Sequence, residues 1–311
     1  MAVCSIASCT SDAPDSGIVS SDSEMRFTIS DVTRASITTS NNITSKPFVV
    51  YGDMRSSQKD STNPLFVIFN GTKVEYQDNN WNYESTQYWF PGYEYSFVTI
   101  YPEPVFAGLE EPQYSNSQLS FKYTLPDDFT DTSDLLATTH RRKYIDREQT
   151  PATPVSFKFF HIMSRLNFSL EYNGAADQIT ITKVELEGVN KTGTFTIIPA
   201  PLLSGSEQTD DYTFSWTDIS DKSTLTTDVG IDVADGETRP LFPDDNALLV
   251  IPQPDNKDII MKITYTFGNN TEAEEQTLTA QTPIGGWETG KIYSYFLTVN
   301  IIEEKKDMTF S

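Results

Sequence analysis

Cysteine is nearly absent from this chain: 2 in 311 residues, Cys4 and Cys9, both within the first nine positions. A disulfide framework would spread cysteines through the fold, and a structural zinc site would group four Cys or His ligands at short spacings. With 2 histidines in all, neither arrangement is encoded. Basic residues are also scarce, with 22 Lys+Arg against 44 Asp+Glu and a formal charge of −22. A surface that acidic repels phosphate backbones and anionic lipid, which excludes nucleic acid as a partner. No apolar run approaches the roughly 18 residues that a membrane-crossing helix needs. Helical periodicity, a βαβ rhythm and repeats of 20 to 50 residues are missing as well.

What is plentiful is aromatic surface, in 15 Tyr, 19 Phe and 4 Trp, enough apolar area to keep so charged a chain folded. At roughly 150 residues per domain, the length predicts two domains, each with its own core. The start, MAVCSIASC, has no basic n-region and little of an h-region, so it reads as the tail end of a leader. Ile6-Ala7-Ser8-Cys9 resembles the bacterial lipobox, in which an aliphatic and two small residues precede a cysteine that is acylated. The stretch after it, TSDAPDSGIVSSDSE, is polar and without periodicity, as a flexible tether would be. Ser11-Asp12 behind the cysteine also resembles a surface-export signal of lipoproteins. The alternative is a leftover start with an incidental cysteine.

From residue 25 onward, period-two alternation dominates. MRFTISDV places Met25, Phe27 and Ile29 on one face and Arg26, Thr28 and Ser30 on the other, a half-buried strand. LFVIFNGTKVEY reads as two strands around a hairpin turn at Asn70-Gly71, a dipeptide that accepts positive φ. TQYWFPGYEYSFVTIYP continues the alternation after a Pro-Gly turn. PDDFTDTSDLLATTHRRKYI supports one or two helical turns at most, because its threonines lower helix propensity. EQTPATP, residues 148–154, has two prolines and no apolar anchor and is the best linker candidate. In VSFKFFHIMSRLNFSLEY the apolar phase flips near Phe159-Phe160, which predicts a bulge or a crossing between sheets. Strand after strand with short turns predicts an all-β fold of two antiparallel sandwiches.

Catalytic signals fail one by one. GGWETGKI meets the first seven positions of a phosphate-binding loop through Gly285, Gly290 and Lys291. Its eighth position is Ile292 instead of Ser or Thr, and a strand pattern follows where a helix should open, so a glycine-bounded turn with Trp287 packed over it is expected. No G-x-S-x-G nucleophile elbow occurs, and the spacing singles out no pair of carboxylates. His140, in the basic cluster HRRKYIDR, is expected on a solvated face, and His161, in an apolar run, in the core. No catalytic residue, cofactor site or metal site is therefore assigned. In WNYESTQYWFPGYEYSF, Trp89, Tyr93, Tyr95 and Phe97 are expected in the core; Trp81 and Tyr83 remain as candidate contacts to a carbohydrate, whose rings stack on aromatic faces.

Taken in order, VTRAS, YWFPGYEYSFVTIYP, SDLLAT, VSFKFFHIMSRLNFSL, LLVIPQ and WETGKIYSYFLTV, with the lipobox at Cys9, resemble the fimbrillin family of bacterial surface pilins, the subunits of type V pili. The resemblance implies two transthyretin-like β-sandwich domains in tandem. It also implies export as a lipoprotein and, in polymerising members, removal of an N-terminal segment by a trypsin-like protease after an Arg. The matching position is Arg34 in Thr33-Arg34-Ala35. A cut there would detach the strand of Met25, Phe27 and Ile29 with the lipid, leaving a groove that another subunit's strand could fill. The alternative is an uncut Arg34, as expected of an anchor or tip member. A cut at Arg26 would leave the strand attached, and one in HRRKYIDR would split the domains. Many members carry a further aromatic-containing stretch after the final strand pair, whereas this chain stops at KKDMTFS. If that end is native, the departure favours a tip or accessory subunit over a stalk subunit.

The sequence thus predicts a leader remnant and tether at 1–24, an N-terminal sandwich at 25–150 and a C-terminal sandwich at 151–311. The expected protein is a non-enzymatic pilus subunit or adhesin at the cell surface, held in the outer membrane through Cys9, with other pilin subunits and a surface ligand as partners. The rival reading is a lipid-anchored module that binds glycan or peptide without polymerising.

Overall fold

The computed structural model describes residues 24–32, 42–57, 65–104, 109–110, 112–144, 154–174, 176–204, 206–242, 248–268, 274–283, 285–302 and 305–310. Cys4, Cys9, Arg34 and most of the expected linker lie outside them. Among the described residues the regular structure is β, apart from short 3-10 turns at Ile43–Ser45 and Phe129–Asp131. The strands are β1 (Phe27–Val32), β2 (Phe48–Ser56), β3 (Phe66–Gln77), β4 (Asn80–Asn82), β5 (Tyr93–Tyr101), β6 (Gln113–Ser115), β7 (Gln118–Thr124), β8 (Leu136–Tyr144) and β9 (Val155–His161). There follow β10 (Ser164–Gly174), β11 (Gln178–Pro199), β12 (Gln208–Thr209), β13 (Tyr212–Ala234), β14 (Thr238–Pro240), β15 (Leu248–Val250), β16 (Ile260–Phe267), β17 (Gln276–Gln281), β18 (Ile292–Ile302) and β19 (Lys305–Phe310).

The first sheet runs β12-β8-β5-β2-β3-β4-β1-β9, and β9 pairs in turn with β8 at Leu136↔His161 and Ala137↔Phe160. The strands from β8 round to β9 therefore form a closed ring, whose β4–β1 seam is joined by a single residue pair. Its interior is filled by alternate residues of each stave, among them Phe27, Phe48, Phe69, Tyr95, Phe97, Phe157 and Phe159. All ring pairings are antiparallel except that of β1 with β9.

The Asn70-Gly71 turn expected from the sequence is not a turn. β3 runs straight through it, and the register with β2 slips between Val50↔Thr72 and Tyr51↔Asn70. Gly71, at φ 72°, accommodates this bulge, and a Cβ there would stand 3.2 Å from the Tyr51 hydroxyl. The hairpin turns later, at Asp78 (φ 52°) and Asn79 (φ 63°), side chains that tolerate the left-handed region a tight two-residue turn demands.

The second body stacks two sheets over one apolar core. One has the order β14-β10-β18-β19, with β15 also on β10, and β10 and β18 are parallel. The other has the order β17-β16-β11-β7-β6, with the 23-residue β13 lying along β11. Phe168, Leu170 and Tyr172 of β10 and Leu297 and Val299 of β18 share this core with Ile181, Val184 and Leu186 of β11 and Tyr265 of β16.

The phase flip at Phe159-Phe160 is where the chain leaves one body for the other: Phe159 lies in the ring core, while Phe160, Ile162 and Met163 lie in the second. The sheets are not sorted by position before or after the linker. The β6–β7 hairpin pairs with β11, and β12 pairs with β8. Polar bonds fix this interleaving. The Trp216 indole Nε1 donates to the Ile162 carbonyl at 2.9 Å, and Asp53 on β2, 2% exposed, accepts from the hydroxyls of Tyr114 (2.8 Å) and Ser117 (2.9 Å) on β6–β7. Arg141 of β8 stands near Asp53 and bonds Glu94 at 3.3 Å, while Arg55 reaches the same carboxylate at 2.9 Å.

The start of HRRKYIDR is accordingly not a solvated face. His140 and Arg141 are buried in β8, a ring stave, and His140 Nδ1 lies 2.7 Å from Asp210. His161 is buried as expected, its Nδ1 3.0 Å from the equally buried Asp134. Trp287 packs in the second core, donating its indole N–H to the Tyr295 hydroxyl, and β18 follows it as a strand.

Burial raises the pKa of Asp53 above the ordinary carboxylate value, against the lowering effect of its hydroxyl donors and Arg141. A raised folded-state value means that Asp53 contributes most below the unfolded carboxylate pKa and loses that contribution as pH rises through the folded one. Urea melts of wild type and Asp53→Asn across this range should therefore show the wild type losing stability relative to the variant as pH rises, then a constant difference. A difference that grows in favour of the wild type would contradict this account.

Candidate functional site

The described part of the chain starts beside β1, a stave of the ring. β1 alternates as its sequence dictates, sending Met25 (1% exposed) and Phe27 (4% exposed) inward. Ile29 does not continue that face fully. The register against β9 slips between Ile29 and Asp31, so Ile29 is only half-buried and Val32, in the opposite phase, turns inward. A one-residue bulge thus moves the third anchor from the expected Ile29 to Val32, which sequence alternation alone cannot reveal.

Phe27 is the centre of the site. Its ring stacks on Phe157 at 5.5 Å and 23°, and meets Phe69 at 5.4 Å, Tyr83 at 5.3 Å and Phe97 at 6.1 Å. Burying side chains of this size contributes about 1.5–3 kcal/mol each. Backbone bonds add to the seat: Met25 N–H donates to the Gln87 carbonyl at 2.8 Å, and Val155 N–H to that of Arg26 at 2.8 Å. Tyr83, expected to be exposed, is half-buried and bonds the backbone just ahead of β1. Its hydroxyl donates to the Met25 carbonyl at 2.7 Å and accepts from Gln87 N–H at 3.2 Å, and burial pushes its pKa up to about 12.

The two edges of β1 are unequal. Toward β9 the register holds from Phe27↔Val155 to Val32↔Phe159. Toward β4 only Phe27↔Trp81 is paired. Beyond that pair the strands part around a cleft of 740 Å³, walled by residues 24–31 on one side and by Tyr76 and Asn79–Tyr83 on the other. Trp81 is half-buried, edge-on to Phe48 at 4.9 Å and tilted against Tyr76 at 5.2 Å. Read from the sequence, Met25, Phe27 and Ile29 on the one hand and Trp81 and Tyr83 on the other are separate candidates. In the fold they adjoin, because the β3–β4 turn brings residue 81 opposite residue 27. Of the core aromatics expected nearby, Trp89, Tyr95 and Phe97 are buried and Tyr93 is half-buried. Arg26 is exposed and pairs with Glu24 at 3.1 Å. Among the described residues no group of three or more His, Cys, Asp or Glu could hold a metal ion.

Among the described residues these features define an all-β protein in which β1 is one stave of a closed sheet. The chain belongs to the fimbrillin-like family, whose sequence model matches residues 33–310. The matched stretch begins at the residue after β1 ends. Among solved structures, a fimbrial protein from Bacteroides vulgatus shares the fold with a TM-score of 0.57 at 14% identity, over 93% of this chain and 97% of its own. Two proteins assigned to cell adhesion are similar at lower scores: one from Bacteroides ovatus (TM-score 0.47) and one from Bacteroides uniformis (TM-score 0.46), each 15% identical over 93% of this chain and 95% of its own. No curated protein sequence matches the chain.

Truncating Phe27 should open a void at the centre of the ring. Phe27→Ala is expected to lower unfolding free energy by about 3–5 kcal/mol, and Ile29→Ala by markedly less, because Ile29 is already half in solvent. Chemical denaturation of both variants checks this; equal losses would contradict the bulge assignment.

Proposed function

We propose that the protein is a non-enzymatic subunit or adhesin of a bacterial surface fimbria, exported as a lipoprotein acylated on Cys9 and assembled by exchange of β1 for a strand of another subunit. Family membership supports the fimbrial class. The observation that carries the assembly step is the seating of β1: an N-terminal stave with an apolar inner face, paired along one edge and by a single residue pair on the other.

That geometry suits removal. A cut after Arg34, two residues beyond the end of β1, severs the strand from the fold without touching any other stave. Once it leaves, Phe69, Phe157 and Val155 lose their cover and the ring gains two open edges. An extended segment with large apolar residues at alternate positions would restore both the ladder and the core. Supplied by a second subunit, it links molecules head to tail, an open assembly that grows into a fibre. Its partners are then other pilin subunits, and its place is the outer membrane surface and the pilus. The rival reading, a lipid-anchored binding module that does not polymerise, is favoured by the cleft beside Trp81.

Limited digestion with an Arg-specific protease, followed by intact mass and electron microscopy, tests the proposal. Wild type is expected to lose residues up to Arg34 and to form ladders or filaments, while Arg34→Ala stays whole and monomeric. A clean cut after Arg34 that leaves a stable monomer, or cutting elsewhere only, would overturn strand exchange.

A further inference from the structure

The cleft between β1 and the β3–β4 hairpin has a chemistry of its own. At 740 Å³ it lies within the range of small-ligand sites. Its lining is dominated by polar groups: Arg26 just ahead of β1, Thr28 and Asp31 from β1, and Asn79, Asn80 and Asn82 from the hairpin. Against them stand the aromatic faces of Trp81 and of Tyr76, the latter 39% exposed. The amide nitrogens of Asn80 and Asn82 are already bonded to carbonyls within the hairpin, which leaves their side-chain oxygens as acceptors held in place. Fixed amide acceptors beside aromatic faces suit a ligand with many hydroxyls and flat apolar patches, which is the surface of a sugar ring.

Two observations narrow the occupant. A chain of formal charge −22, with Glu24 and Asp31 in the cleft wall, disfavours acidic sugars. An added peptide strand is disfavoured because Asp31 covers part of the β1 edge itself, its Oδ1 accepting the Val32 N–H at 2.8 Å.

We propose that this cleft binds a neutral oligosaccharide, and does so only while β1 is seated, since β1 forms one of its two walls. Ligand and strand are then linked: a sugar that binds the closed ring and not the opened one stabilises β1 in place. This inference rests on the cleft and not on strand exchange, so it stands or falls separately from the assembly step.

The intact protein should be titrated with maltotetraose, cellotetraose, chitotetraose and mannotetraose by isothermal calorimetry, which reads binding in wild type and in a variant lacking Trp81 alike. At least one sugar is expected to bind, and Trp81→Ala should weaken its binding at least about tenfold, with Asn80→Ala as a milder second variant. Hydrogen exchange of the β1 amides in the intact protein supplies an independent readout. At a sugar concentration about ten times Kd, their exchange should slow about tenfold. Failure of all four sugars, binding unaffected by Trp81→Ala, or binding that leaves β1 exchange unchanged would overturn the proposal. So would a peptide of residues 25–32 that occupies the cleft of the intact protein and displaces the sugar.

Discussion

The parallel pairing of β1 with β9 is the contact on which the ring depends. It joins residues 27–32 to residues 155–159, so the first sheet closes only when the beginning of the chain returns to a strand made far later. Such a long loop costs conformational entropy that is recovered only when the strand docks and buries Met25, Phe27 and Val32. The same burial makes the ring core dependent on β1, because Phe27 touches aromatic rings from β3, β5 and β9 at once. β1 is thus central to the core while tied to β4 by a single residue pair.

The second body also closes by a long-range parallel pairing, the ten-residue register of β10 with β18, and the long β11–β13 hairpin ties its other sheet. The two bodies are coupled by polar bonds at their junction: Asp53 with Tyr114 and Ser117, and Trp216 with the Ile162 carbonyl. A buried carboxylate is costly unless bonded, so Asp53 holds the β6–β7 hairpin in one orientation more than it adds stability.

The edge of β1 that is left unpaired beyond Phe27↔Trp81 is also the wall of the cleft. Tyr83 lines the cleft while bonding the Met25 carbonyl.

Strand identity and the inward face of most strands were legible in the sequence, since period-two alternation in segments such as VSFKFF and YEYSFVTIY follows directly from the pleat. So was the departure from one sheet to another at Phe159-Phe160, because a phase flip has few physical causes. The family was legible from motif order. What the sequence could not determine was pairing between distant strands. Asn70-Gly71 has the same local preference for positive φ in a bulge as in a turn, and only the continued ladder with β2 decides between them. His140 and Arg141 look solvated until Asp210 and Glu94 arrive from elsewhere to bond the imidazole and the guanidinium. Likewise, local sequence sets Met25, Phe27 and Ile29 on one face and Trp81 and Tyr83 in an aromatic stretch. That they share a seam, that Val32 replaces Ile29 as an anchor, and that Tyr83 bonds the backbone just ahead of β1 were decided by tertiary structure, because register between strands is a property of the closed sheet and of no single segment in it.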